Sequence, residues 1–207
     1  MSFPFDTAFR DLIAARCAAF RRLAAPDPGA GLKHAAVAIA LTEASGESAL
    51  LLTRRARALR SHRGQWALPG GRCDPGETPV AAALRELDEE VGLKLTAEAV
   101  LGLLDDYPTR SGYLITPVVV WAGPDAALLP NPREVASVHR IVLADIARAE
   151  AIDFIAIPES DRRVIRIRMN GSLVHAPTAA VVYQFLELLA GRETRVADLE
   201  QPVFAWA

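Results

Sequence analysis

Three carboxylates and one arginine lie close together in the stretch Arg85-Glu86-Leu87-Asp88-Glu89-Glu90. Glu86 and Glu90 are four residues apart and Glu89 is three residues from Glu86, so on a helix all three side chains share one face. Carboxylates this close repel one another and raise one another's pKa unless a divalent cation with oxygen ligands joins them. The spacing therefore predicts that Glu86, Glu89 and Glu90 bind Mg²⁺ or Mn²⁺.

Glycines before this stretch favour a metal site over a simpler alternative. In the alternative, the carboxylates form an ordinary solvated helix face, and Arg85 pairs with Glu89 four residues later. Pro69-Gly70-Gly71 and the later Gly76 allow a backbone carbonyl, that of Gly71, to turn toward a metal. They also allow the chain to approach a diphosphate closely. We therefore expect phosphate chemistry at this turn.

Local signals predict the helix that carries the carboxylates. Thr78 is a good N-cap, Pro79 suits the first helical position, and Gly92 suits a left-handed C-terminal residue. Apolar residues recur at helical spacing and should pack on a core, so the three glutamates are expected to point away from it. The apolar residues are Val80, Leu84, Leu87 and Val91.

Residues 71–93 match the pattern Gly-x5-Glu-x7-Arg-Glu-apolar-x-Glu-Glu-x-Gly-apolar at every specified position. This pattern resembles the Nudix box, the signature of the Nudix hydrolase family. The resemblance implies an α/β fold, an α/β/α sandwich with a mixed sheet. It also implies metal-dependent hydrolysis of nucleoside diphosphate derivatives.

The resemblance also implies roles for single residues. Glu77 orients Arg85, and both belong to the catalytic group with Glu86 and Glu89. Glu86 and Glu90 hold the metal, with Glu89 and the Gly71 carbonyl nearby. The group that accepts the proton from water is Glu89 in our first hypothesis, and Glu134 in a second one.

A segment before the box resembles the motif of the coenzyme A diphosphatase branch, Leu-Leu-Thr-x-Arg-Ser/Ala-x3-Arg-x3-Gly-x3-Phe-Pro-Gly-Gly. Residues 51–71 depart from it only at Leu68, and residues 105–119 resemble that branch's substrate loop. The resemblance implies hydrolysis of coenzyme A to 3′,5′-ADP and 4′-phosphopantetheine. Guanidinium groups suit the phosphates of such a substrate. The predicted substrate contacts are Arg55, Arg60, Gly70 and Gly71.

Two alternative functions remain open at this stage. The Leu68 departure leaves room for another Nudix substrate, such as ADP-ribose or a dinucleotide. A non-catalytic module that senses a nucleotide is a more distant alternative, because such a module is expected to lose box carboxylates and this chain keeps all of them. Trp66 either stacks on an adenine or anchors the core.

Composition supports one compact enzyme, and the resemblance implies that its partner is a small-molecule nucleotide substrate. The chain has 207 residues, 51% of them hydrophobic, and a net charge of −2 that argues against nucleic acid as a partner. Two cysteines without a disulfide pattern fit a reducing compartment, so we expect a cytoplasmic protein. We expect no membrane partner, because no secretory signal or membrane-spanning stretch is visible. The composition is compatible with a homodimer.

Two parts are predicted, an N-terminal helix with its linker over residues 1–30 and, from the resemblance, a Nudix domain over residues 31–207. Residues 7–25 form an amphipathic helix that a proline-rich linker ends. Its arginines also suit a transit peptide or a membrane-surface helix, but Asp6 and Asp11 favour docking on the domain. A last helix is predicted over residues 178–189. Strands are predicted over residues 34–41, 49–53, 100–104, 113–121, 137–143, 164–169 and 173–175.

Overall fold

The structure is a computed structural model that describes residues 2–23, 31–56, 64–124 and 126–206. Its helices are α1 (Thr7–Ala19), α2 (Pro79–Val91), α3 (Leu143–Ile146) and α4 (Thr178–Leu189). Its strands are β1 (Lys33–Ala44), β2 (Glu47–Arg55), β3 (Trp66–Ala67), β4 (Gly70–Arg72), β5 (Val100–Leu103), β6 (Tyr107–Pro108), β7 (Tyr113–Trp121), β8 (Val135–Val142), β9 (Ile152–Ile157), β10 (Ser160–Met169) and β11 (Ser172–His175).

The main sheet is mixed and is centred on β1. This strand pairs in parallel with β7 and antiparallel with β2 and β4, and the path of the sheet runs β3-β2-β1-β7-β5. A smaller antiparallel sheet has the order β11-β10-β9. The mixed sheet and its helices confirm the predicted α/β class.

The two faces of β1 contact different helices, because successive side chains of a strand point in opposite directions. Ala36, Ala38 and Ala40 pack in one cluster with Leu87 of α2. Ile39 and Leu41 belong to a larger cluster on the other face, which contains residues of α1 and α4. Helices therefore cover both faces of the sheet, as in an α/β/α sandwich.

The N-terminal helix packs on the larger cluster through Phe9, Ile13 and Cys17. It ends at Ala19, earlier than the predicted residue 25, because Phe20 takes an extended backbone and buries its ring in the same cluster. The predicted linker and the boundary at residue 30 fall in residues 24–30, outside the described part of the chain. Among the described helices, none is long and apolar enough to cross a membrane.

Several predicted elements are confirmed at the residue level. The strand over residues 113–121 and the helix Thr178–Leu189 have the predicted bounds. Between the two predicted strands over residues 164–169 and 173–175, Asn170-Gly171 is a typical sequence for a two-residue hairpin turn, and the two residues have the positive φ values, 46° and 73°, that a type I′ turn requires. Strand β9 and the short helix α3 were not predicted, and β10 begins four residues before its predicted start at residue 164.

Candidate active site

Helix α2 is built by the local signals found in the sequence. The Thr78 hydroxyl accepts a hydrogen bond from the Ala81 amide at 3.2 Å, and Pro79 occupies the first helical turn. Gly92 ends the helix in the left-handed conformation, with a φ of 70°. The predicted helix and both of its termini are confirmed.

The orientation of α2 corrects one expectation. Val80 and Leu84 are only partly buried, whereas Ala83, Leu87 and Val91 are fully buried and form the inward stripe at i, i+4 and i+8. Glu90 is adjacent to Leu87 and Val91 on this stripe and is only 4% exposed. It therefore does not point away from the core, whereas Glu89 is exposed.

Arg85 connects the Gly-rich turn to the carboxylates. Its Nε and Nη2 donate to the two carboxylate oxygens of Glu77 at 2.9 and 3.0 Å, and its Nη1 donates to Glu86 and Glu89 at 2.9 Å each. Its Nη2 also donates to the Arg72 carbonyl at 3.1 Å. The two hydrogen bonds that Glu77 accepts from Arg85 hold the pKa of Glu77 below its ordinary value. Arg85 therefore fixes the turn and two glutamates together.

The two glycines of the turn allow close approaches that no other residue permits. A Cβ on Gly70 would lie 2.4 Å from the Ala36 carbonyl oxygen, which is backbone and cannot move aside. A Cβ on Gly71 would lie 2.3 Å from Oε1 of Glu86. The turn therefore packs directly on β1 and on the carboxylate of Glu86.

Glu90 lies in an unfavourable environment for a negative charge. Its Oε2 is buried without a hydrogen-bond partner, and its Oε1 lies 3.8 Å from Nη1 of Arg55. Burial, followed by the charge of Glu86, raises the pKa of Glu90 to about 7. Burial also raises the pKa of Glu86, although Arg85 opposes this shift. The charge of Glu134 also raises the pKa of Glu86 and the pKa of Glu90, so Glu134 lies close enough to this group to act on both carboxyls.

The donor set fits a hard divalent cation. Glu86, Glu89 and Glu90 offer carboxylate oxygens, and a cation would give the partnerless Glu90 oxygen the positive neighbour that it lacks. In the part of the chain that the structure describes, no three acidic, histidine or cysteine side chains already stand around one point at metal distance. Arg85 instead holds Glu86 and Glu89.

A cleft of about 730 Å³ adjoins the Gly-rich turn. Arg55, Gly70 and Gly71 line it, so three of the four predicted substrate contacts meet there. The fourth, Arg60, lies in residues 57–63, outside the described residues. Trp66 also lines the cleft, and the Arg54 guanidinium lies 5.4 Å from its ring centroid.

The loop after β5 has two different environments. Asp105 and Asp106 are buried, and they bind Arg195 and Arg22 rather than the cleft. The later residues Thr109, Ser111 and Tyr113 line the cleft. Only the second half of the predicted substrate loop therefore faces the site.

Sequence reasoning missed one wall of the cleft. This wall comes from β11, from the residues that lead into α4, and from Gln201, Phe204 and Ala205 near the C-terminus. These residues follow the end of the box, Leu93, by 79 positions or more and belong to neither motif. Only the folded chain brings them to the turn, so no local signal could have found them.

Comparison with known proteins shows the family of this chain. A model of the NUDIX domain matches residues 32–159. A protein of Photorhabdus laumondii subsp. laumondii, described as "Uncharacterized Nudix hydrolase NudL", is 34% identical over 158 residues, which are 75% of this chain and 84% of the relative. A Yersinia enterocolitica protein with the same description is 35% identical over 167 residues, 78% of this chain and 85% of the relative.

Among solved structures, a MutT/nudix family protein from Enterococcus faecalis superposes with a TM-score of 0.56. The superposition covers 86% of this chain and 69% of that protein, at 16% identity, and so supports the fold alone. The family match and the two relatives go further than the fold. They show that the chain belongs to the Nudix family and is a Nudix hydrolase.

Proposed function

We propose that this Nudix hydrolase cleaves the diphosphate of coenzyme A or an acyl-coenzyme A with Mg²⁺ or Mn²⁺. The products are 3′,5′-ADP and 4′-phosphopantetheine or its acyl form. The observation that carries the proposal is the position of the two described parts of the motif before the box, residues 51–56 and 64–71. Its strand β2 sets Arg55 beside Glu90, and its turn sets Gly70 and Gly71 in the cleft.

The metal would be held by Glu86, Glu90 and Glu89, together with the carbonyl of Gly71. When bound, such a cation neutralises phosphate charge and lowers the pKa of a water molecule. Arg85 keeps Glu86 and Glu89 beside the turn, and Glu77 fixes Arg85 with two hydrogen bonds.

In the hydrolysis, the water oxygen forms a bond to one phosphorus, and the bond between that phosphorus and the bridging oxygen breaks. The water proton passes to a carboxylate, for which Glu89 is the first candidate and Glu134 the second. Arg55 faces the cleft and is suited to a phosphate oxygen. No covalent bond to the protein is needed.

The competing substrate is another adenosine diphosphate derivative, such as ADP-ribose or a dinucleotide. An aromatic ring beside a guanidinium, as in Trp66 and Arg54, suits any adenine. Coenzyme A differs from these molecules by its pantetheine arm and by its 3′-phosphate, and only the 3′-phosphate separates it from dephospho-coenzyme A. An arginine that binds it contributes about 1.5 to 3 kcal/mol, a preference of roughly 10- to 150-fold over the dephospho form.

The test is a panel of coenzyme A, dephospho-coenzyme A, ADP-ribose and NADH with Mg²⁺ or Mn²⁺, with products identified by mass. We expect 3′,5′-ADP from coenzyme A, and a higher kcat/KM for it than for the dephospho form. Arg55→Ala and Arg60→Ala identify the arginine that produces this preference. Much faster hydrolysis of ADP-ribose than of coenzyme A would overturn the substrate and leave the family chemistry intact.

We also propose a cytoplasmic location, which fits Cys17 and Cys73, both free of disulfide bonds. The expected partner is a small nucleotide rather than a nucleic acid or a membrane. Assembly as a homodimer stays a prediction.

A further inference from the structure

One wall of the cleft contains a glutamine that is almost entirely buried. Gln201 lines the cleft and is only 3% exposed. Its backbone amide donates to Oε1 of Glu200 at 3.0 Å, and its backbone carbonyl accepts a hydrogen bond from the indole of Trp206 at 2.8 Å. Both polar groups of the Gln201 backbone are therefore held by neighbouring side chains.

The side chain of Gln201 is oriented by the loop after β6. Its Oε1 accepts a hydrogen bond from the backbone amide of Arg110 at 2.7 Å. Because only the oxygen of a carboxamide can accept from an N–H, this contact decides which end of the amide is Nε2. Arg110 in turn donates to the carboxylate of Glu200, through Nε at 3.1 Å and Nη2 at 2.5 Å. The orientation of the Gln201 amide is therefore part of the fold.

The Nε2 atom of Gln201 is left as a donor for a ligand. In the part of the chain that the structure describes, it has no hydrogen-bond partner, and it is not among the partnerless side-chain atoms that the protein encloses. The small exposed fraction of Gln201 therefore includes this amide nitrogen, on the wall of the cleft. Because the side chain is already oriented, a ligand that accepts its hydrogen bond loses little binding energy to side-chain ordering.

The order of the strands places Gln201 and Trp66 on opposite sides of the Gly-rich turn. Strand β1 pairs with β4 along one edge and with β7 along the other, and β6 pairs with the far edge of β7. At about 4.8 Å per pair of strands, β6 lies about 14 Å from β4, and Arg110 is two residues beyond the end of β6. Trp66 lies on β3, which pairs with β2 on the side of β4 away from β7.

A diphosphate bound at the turn directs one arm of the substrate toward each side. Trp66 and the neighbouring Arg54 suit the adenosine arm, so the second arm extends toward Gln201. In coenzyme A this second arm is pantetheine, which contains two uncharged amide groups. The N–H of a neutral side chain matches an amide carbonyl oxygen, whereas guanidinium groups match phosphate.

We propose that Nε2 of Gln201 donates a hydrogen bond to an amide carbonyl of the pantetheine arm and determines specificity for coenzyme A derivatives. The proposal rests on the proposed function, because ADP-ribose and dinucleotides have a ribose in place of this arm. Arg110 and Glu200 do not line the cleft and act as positioning residues for Gln201. The hydrogen bond forms in the bound substrate and persists in the transition state, so its loss raises KM rather than lowering kcat.

The experiment measures kcat and KM for coenzyme A, and the inhibition constants of its products 4′-phosphopantetheine and 3′,5′-ADP. Gln201→Met keeps the length of the side chain and removes the donor. KM and the inhibition constant of 4′-phosphopantetheine should rise about three- to tenfold, the effect of one neutral hydrogen bond. The kcat and the inhibition constant of 3′,5′-ADP should change less than about twofold.

A second variant and a control separate the donor from the structural contact. Gln201→Glu keeps an acceptor oxygen for the Arg110 amide and lacks the donor, so it should show the same pattern as Gln201→Met. Ser160→Ala removes a hydrogen bond of 2.7 Å to Glu200, at a residue that does not line the cleft, and should change none of these constants more than about twofold. Melting temperatures show which variants are folded in the assay.

The outcomes separate this proposal from the proposed function. If coenzyme A yields 3′,5′-ADP but the Gln201 variants leave KM and the 4′-phosphopantetheine constant unchanged, Gln201 does not bind the arm and the proposed function stands. If the constants of both products rise equally, or Ser160→Ala reproduces the pattern, the effect is structural and the proposal is wrong. If coenzyme A is not hydrolysed but ADP-ribose is, the proposed function itself has failed.

Discussion

Among single residues, Glu90 is both a proposed metal ligand and part of the buried face of α2. Its carboxylate is buried beside Arg55 and has one oxygen without a partner. Glu90→Gln keeps the shape of the side chain and removes the charge that a cation needs. We expect turnover to fall by at least about a hundredfold, equal to about 2.7 kcal/mol of transition-state stabilisation. The measurement is kcat at saturating Mg²⁺, with circular dichroism to show that the variant is folded.

Asp88→Asn is the matched control for Glu90→Gln. It removes a carboxylate from the same helix, at a position whose nearest cation, Lys94, is 3.8 Å away. We expect this variant to retain turnover close to that of the wild type. Near wild-type turnover by Glu90→Gln would instead show that Glu90 is not a metal ligand.

The raised pKa of Glu90 gives a second prediction, which concerns stability without metal. The carboxyl titrates near 7 in the folded protein and near its ordinary value of 4.5 when unfolded. The folded state therefore binds the proton more tightly, so stability falls as the pH rises from about 4.5 to about 7 and then levels off. Glu90→Gln abolishes this contribution, which is on the order of 1 to 3 kcal/mol.

Urea unfolding in the presence of a chelator tests this at about pH 5 and about pH 8. The quantity of interest is the free energy of unfolding of Glu90→Gln minus that of the wild type. This difference should be larger at about pH 8 than at about pH 5. Glu86 titrates in both proteins and interacts with the charge of Glu90, so the pH-dependent difference belongs to the Glu86–Glu90 pair. If the two proteins differ in free energy of unfolding by the same amount at both pH values, then ionisation of Glu90 costs nothing in the folded protein.

Replacing the adjacent glycines Gly70 and Gly71 by alanine should have different effects on stability and on activity. In Gly71→Ala the new methyl group meets the Glu86 carboxylate, which can rotate away, so the fold should survive. Activity should fall at least about tenfold, since a displaced catalytic group can lose this much. In Gly70→Ala the methyl group meets backbone, so stability should fall as well. Melting temperature and kcat of the two variants check this, and equal melting temperatures would contradict it.

Helix α2 shows how far local sequence determines an element. Its cap, its first proline and its terminal glycine predicted both ends, because these signals act within one turn. Its rotation was predicted less well. The periodicity predicts Val80, Leu84, Leu87 and Val91 as the buried residues. Leu87 and Val91 are fully buried, but Val80 and Leu84 are not, and Ala82 and Ala83 are buried instead. The small alanines of β1 bring the helix close to the sheet, and a sequence pattern does not reveal this contact.

The orientation of α2 is tested by removing a buried side chain from it. Leu87 is fully buried against the sheet, so Leu87→Ala should lower the free energy of unfolding by about 2 to 5 kcal/mol. Asp88→Ala, one residue later and partly exposed, should cost less than about 1 kcal/mol. Chemical denaturation of both variants measures the difference. Equal losses would contradict the orientation.

The elements missed in the sequence are short or depend on distant partners. Strands β3 and β4 have two and three residues, too few for any periodicity to show. Strand β9 is defined by its pairing with β10, which only the folded chain provides. Long strands such as β7 were predicted because nine residues contain a clear apolar pattern. Segment length and local capping therefore set what could be predicted.

For the whole molecule, the box and the arginine motif predicted the side of the cleft that Arg55, Gly70 and Gly71 line. They did not predict the side formed by β11 and the C-terminal residues. The separate resemblance of residues 105–119 also suggested a substrate loop that includes Asp105. The structure instead uses Asp105 to join three distant parts of the chain. Its carboxylate accepts hydrogen bonds from the Leu23 amide, Gln184 and Arg195 at 2.8, 3.2 and 2.7 Å.

Asp105→Asn tests whether this residue serves the fold or the substrate. The change keeps the shape but leaves Arg195 without its buried partner, so we expect a loss of about 2 to 4 kcal/mol in the free energy of unfolding. Turnover by the folded fraction should stay within about threefold of wild type, because Asp105 does not line the cleft. The control is Asp153→Asn, which breaks a half-exposed pair with Arg166 and should cost less than about 1 kcal/mol. Unchanged stability with a large loss of kcat/KM would place Asp105 at the substrate after all.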